Sequence, residues 1–149
     1  MNSYARFGAM VATSTVAMFG LMYLNTYQLD HVQFSETRVY MALVMGAAMA
    51  VIMLGYMSGM YENRRANLGI FVGSAVVFTV ALWLVRSQAT VEDVSWMKAM
   101  IPHHSIAILT SERAQISDPR VRELADEIIE SQRREIEEMK ELIREIEGR

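Results

Sequence analysis

Three stretches of this chain carry no charge at all: Phe7–Leu24, Val39–Tyr61 and Leu68–Val85. A hydrocarbon layer about 30 Å thick takes roughly 20 helical residues at about 1.5 Å each, so each stretch has the length of a membrane span. Backbone polar groups in lipid must be satisfied within the segment, which makes such stretches helices. Tyr4, Tyr23, Tyr27, Tyr40, Tyr61 and Trp83 sit near their ends, where interfacial aromatics collect. Asn25, Thr26 and Tyr27 follow the first stretch and offer no small-residue cleavage site, so it is read as retained. The expectation is an all-α protein with a three-span membrane domain over residues 1–89 and a soluble part over 90–149.

Charge divides the chain at the same place. Residues 1–89 carry a net charge of about +2 and residues 90–149 about −5, within a total of −3. An acidic soluble part excludes a nucleic-acid partner, because neutralising phosphates takes clustered positive charge. No cysteine is present, so disulfides and thiolate metal sites are excluded. Arg64 and Arg65 share the short 62–67 loop, and the positive-inside rule then places that loop and the N-terminus in the cytoplasm. The soluble part is expected on the periplasmic face of a bacterial inner membrane.

Methionine is abundant, and five of the 13 recur at every fourth position: Met41, Met45, Met49, Met53 and Met57. On a helix they form a slowly winding stripe, read as helix packing by flexible thioethers in preference to a relay for a soft cation. Gly55 and Gly59 are spaced for close contact between helices.

The soluble part reads as a hairpin with helices over about 91–116 and 119–147. Thr90-Val-Glu-Asp93 fits a relaxed capping box. Asp118 is a suitable N-cap and Pro119 a suitable first helical residue. A turn this short makes the helices antiparallel neighbours. On a helical wheel of the second helix, Val121, Leu124, Ala125, Ile128, Ile136, Leu142, Ile143 and Ile146 share one arc with Gln132, Glu135 and Met139. In the first helix Met97, Met100, Ile101, Ala107 and Ile108 share an arc with His104, and His103 points elsewhere. Pro102 is expected to bend that helix. Folded about the turn, Met97 meets Met139, Met100 meets Glu135 or Ile136, and His104 meets Gln132. A buried carboxylate or imidazole is costly unless paired or bound. Thioethers with a neutral imidazole suit Cu(I), and Glu135 or Gln132 then orients the ring.

The run Trp96-Met-Lys-Ala-Met-Ile-Pro-His-His104, with Gln132, Glu135-Ile136 and Met139 later, closely resembles the ferritin-like bacterial family catalogued as domain of unknown function 305. Its pattern is a Met-x-x-Met-x-x-His-His helix followed by an antiparallel helix with Gln-x-x-Glu-Ile-x-x-Met. The resemblance covers about residues 90–145. It implies a periplasmic or membrane-attached helical bundle associated with copper, and it marks Met97, Met100, His103, His104 and Met139 as candidate ligands, with Glu135 and Gln132 beside them. Longer members carry two hairpins and this chain has one. Self-association into a four-helix bundle is therefore expected, most simply as a dimer.

The functional expectation is a membrane protein that captures or buffers a soft metal, copper above all. The alternative is a structural membrane protein whose hairpins serve only assembly. An enzyme is not expected, because no nucleophile–base set, phosphate loop or nucleotide fingerprint occurs. His31 is read as an exposed residue of the 25–38 loop.

Overall fold

A computed structural model describes residues 2–148. Among them five α-helices and two single 3-10 turns account for the regular structure, with no strand. The helices are α1 (Ser3–Leu21), α2 (Glu36–Tyr56), α3 (Arg64–Ser87), α4 (Asp93–Arg113) and α5 (Pro119–Glu147). They form two compact units. The apolar unit comprises Met1–Met22 and Thr37–Thr90, and the hairpin unit comprises Tyr23–Glu36 and Val91–Arg149.

In the apolar unit, among the described residues, only α2 and α3 are long and apolar enough to cross a membrane. This corrects the expectation of three spans. Helix α1 begins at Ser3 and ends at Leu21, so it includes Arg6 and its uncharged part falls short of the roughly 20 residues a bilayer takes. Thr13, Ser14 and Thr15 dilute its middle further. Phe7, Ala50, Leu54 and Tyr61 form the core of this unit, with Met53 and Met57 packed against it. Part of the methionine stripe thus serves packing. The expected glycine contact moves, however. A Cβ at Gly55 or Gly59 would meet nothing, whereas one at Gly46 would lie 2.3 Å from Thr15 Oγ1. Helix α2 stops at Tyr56, short of the expected Tyr61, because Gly55, Ser58 and Gly59 are poor helix formers. Arg64 and Arg65 lie in the first turn of α3, capped by Asn63, whose Oδ1 accepts from the Arg65 and Ala66 amides at 3.1 Å each.

The hairpin unit is built on α4 and α5. Asp118 caps α5 by accepting from the Arg120 amide at 2.9 Å, and Pro119 follows in the first turn. The capping box expected at Thr90 does not form. The N-cap of α4 is Glu92, without a side-chain bond, and the Thr90 hydroxyl meets Tyr40 Oη at 2.8 Å. Pro102 sits inside a continuous α4.

Candidate metal centre

The hairpin core consists of Met97, Ile101 and Ile108 from α4 and Ile136, Met139 and Ile143 from α5. Met100, Val94, Ile129 and Tyr27 pack against it. The spacing explains the seam. Residues 97, 101 and 108 on α4, and 136, 139 and 143 on α5, recur at three, four or seven positions and so share one helix face. Met97, Met100 and Met139, three of the residues singled out in the sequence, therefore meet in one cluster.

His104 lies one turn beyond Met100 and is largely buried. Its Nδ1 is 3.0 Å from the Met100 carbonyl oxygen, and its Nε2 is 2.8 Å from Glu135 Oε2. A carbonyl only accepts, so Nδ1 carries a proton and donates it. Nε2 is then the nitrogen that faces the carboxylate and the one that could serve as a metal donor. Glu135 is half-exposed, and its other oxygen accepts from Ser131 Oγ at 2.6 Å. Ser131 first and His104 second hold the Glu135 carboxyl below the usual carboxylate range. The expected His104–Gln132 pairing is replaced by His104–Glu135. Gln132 is half-buried beside the seam. His103 is exposed, its ring centroid 6.2 Å from that of His104 in an edge-to-face arrangement. Among the described residues no three His, Asp or Glu side chains converge. A metal held at this place would need thioether donors as well as His104 and Glu135.

The sequence reading missed a second polar group. His31 is 5% exposed, not an open loop residue. Its Nδ1 is 2.9 Å from Ser105 Oγ, and that oxygen also accepts from the Tyr27 amide at 2.6 Å. Asp30 accepts from Lys140 Nζ at 2.7 Å. The segment 23–36 thus lies as a strap over α4 and α5. Burial is the main cause that pushes the His31 pKa down, with Lys140 adding to it and Asp30 and Glu137 opposing. The Lys140 bond in turn holds Asp30 below its ordinary value. One signal for the strap was present in the sequence. Ser105 stands four residues after Ile101 and three before Ile108, at the centre of the buried face. A hydroxyl there needs a partner from outside the hairpin.

The family model described as "Domain of unknown function (DUF305)" matches residues 83–148, which contain all of α4 and α5. An uncharacterised protein of Acanthamoeba polyphaga mimivirus is 30% identical over 142 residues, covering 91% of this chain and 91% of that protein. The chain belongs to the DUF305 family. The DUF305 match contains every candidate ligand, from Met97 to Met139. The viral relative extends the likeness through both units. No solved structure matches the chain.

Proposed function

We propose that this DUF305 protein is held in a membrane by α2 and α3 and that its hairpin binds a soft metal ion, Cu(I), for capture or buffering outside the cytoplasm. Two crossing helices return the chain to the side it left. Such a topology suits a hairpin unit assembled from residues 23–36 and 91–149. Arg64 and Arg65, at the start of α3, favour the cytoplasmic side for the other end by the positive-inside rule.

One observation carries the metal reading. Three thioethers gather in one core cluster, and the next turn supplies an imidazole oriented by a backbone carbonyl. Met97, Met100 and Met139 would supply soft sulfur donors, and His104 Nε2 the imidazole donor. Bound there, Cu(I) would be shielded from water by Ile101 and Ile136, which favours the reduced ion over reactive exchange. Glu135 would orient His104 or balance the charge of the ion.

The test is Cu(I) titration of the full-length protein in detergent, competed against a chromogenic chelator. The variant combines Met97→Leu, Met100→Leu and Met139→Leu with His104→Gln. Leucine keeps the volume of the core and removes the sulfur. The expected result is a loss of affinity of about 100-fold or more. Unchanged affinity removes the metal reading and leaves the alternative, a hairpin that serves assembly alone. The direct His104–Glu135 hydrogen bond is the feature that favours this alternative, since it satisfies both groups without a metal.

A further inference from the structure

The strap over residues 23–36 is built inside out for a loop in water. Leu29–His31 form a 3-10 turn, in which positions three apart lie on one side, so Leu29 and Val32 share a face. Val32 leaves the turn in an extended conformation, where successive side chains point to opposite faces. Val32 and Phe34 are accordingly exposed, while Gln33 is half-buried and Ser35 is buried. The inward face is polar and is held by polar bonds. His31 and the Tyr27 amide meet Ser105, and Asp30 meets Lys140. The Ser35 amide donates to Tyr23 Oη at 3.1 Å, which ties the two ends of the strap together. The outward face is apolar. Leu29 is 91% exposed and Leu24 77%.

A single exposed leucine is ordinary, but large apolar side chains grouped on one outward face mark a contact surface. Chain continuity says what covers this one. Phe34 stands two residues before Glu36, where α2 begins, and α2 is long and apolar enough to cross a membrane. At about 3.3 Å per residue, Val32 lies within about 13 Å of the start of that helix and Leu29 within about 23 Å. An amphipathic segment buries its apolar face about 5–10 Å deep at the boundary of headgroups and acyl chains. Charge selects the lipid. The strap contains Asp30 and Glu36 but no Lys or Arg, and the hairpin it joins is acidic. An anionic surface repels such a segment. A zwitterionic surface leaves apolar insertion as the attraction.

We propose that the outward face of the strap, formed by Leu24, Leu29, Val32 and Phe34, inserts into the headgroup boundary of the bilayer that α2 and α3 cross, and seats the hairpin on a zwitterionic lipid surface. The proposal rests on the membrane reading of α2 and α3 and is independent of the metal. Leu29 and Val32 meet lipid on one side. His31, between them in sequence, meets Ser105 on the other. One short turn thus joins the lipid surface to the hairpin.

The absence of native cysteine makes single-site labelling direct. Full-length Leu29→Cys and Val32→Cys proteins are labelled with nitrobenzoxadiazole and placed in phosphatidylcholine nanodiscs that contain nitroxide lipids. Val76→Cys, midway along α3, and Glu123→Cys, exposed on α5, serve as references. Positions 29 and 32 should be quenched about threefold more strongly than position 123 by a nitroxide near the top of the acyl chain. Position 76 should be quenched best by a nitroxide near the chain end, which reads the span by itself. Quenching at 76 with none at 29 and 32 overturns the strap proposal and leaves the membrane reading standing. No quenching at 76 ends the membrane reading and the strap proposal with it. Blue-shifted emission at 29 and 32 without quenching assigns the face to protein, a second copy included, and also overturns the proposal. Quenching at 29 and 32 should persist at high salt and weaken as phosphatidylglycerol replaces phosphatidylcholine; its loss at high salt would show a charge contact and overturn apolar insertion. Leu29→Ser should lower the quenching at position 32 about twofold, because the two side chains enter together. An unchanged value would show that the probe inserts by itself, and would overturn the proposal.

Discussion

His31 is the residue whose place the sequence least foretold. A single histidine in a polar loop resembles a solvated side chain, and its partner Ser105 lies 74 positions away. Ser105 on a buried face signals that a partner is needed, but nothing local to His31 reports the contact. His104 is the opposite case. Its position on an apolar arc could be worked out on a wheel, but folding the hairpin evenly about its turn set it opposite Gln132, and the structure pairs it with Glu135 instead. The burial of His31 also has a consequence in solution. Its folded pKa lies below the ordinary 6.5, with burial as the main cause. The unfolded strap therefore takes up a proton first as pH falls. Stability from this docking is fully present above about 6.5 and is lost as pH drops from there through the folded value. Amide exchange at Tyr27, whose N–H donates to Ser105, should accelerate as pH falls through that window, after correction for intrinsic exchange. In His31→Gln the excess pH dependence should vanish. An unaltered dependence would show that another group controls the strap.

Among the elements, those with complete local signals were the most legible. The start of α5 combines Asp118, Pro119 and the apolar repeat that follows, and the helix begins at Pro119 as read. Asp118→Ala should destabilise the hairpin, seen as a lower thermal midpoint of the hairpin transition by circular dichroism. No change would mean that Pro119 alone sets the boundary. The start of α4 was misread because Thr90 matches a cap by residue type, while its hydroxyl is taken by Tyr40. The end of α2 was misread because apolar character continues to Tyr61 after helix propensity has failed. Hydropathy records which residues avoid water, and it does not mark where a helix stops. Helix α1 teaches the same point, since its apolar length was counted past Leu21 and without Arg6.

At the scale of the molecule, charge alone divides the sequence near residue 89 into an apolar part and an acidic part. The membership of residues 23–36 was not legible, because sequence position placed them between two apolar helices. They belong to the hairpin unit. Tyr27 packs on the hairpin core, and Lys140 of α5 bonds Asp30. Replacing residues 23–36 with a Gly/Ser linker of equal length should leave α1, α2 and α3 helical. Amide exchange in Ile101–Ile108 should quicken at least tenfold, as hydrogen–deuterium exchange of the full-length chain would measure. Unchanged protection of that turn would make the strap an ornament.

The strap also orders events during synthesis. Tyr27 leaves the ribosome 78 residues before Ser105, its acceptor. At 5–20 residues per second that gap is about 4–16 s, during which two apolar helices emerge in between. The early segment must therefore stay undocked until Ser105 has been made, so the docking of the strap follows the synthesis of both intervening apolar helices.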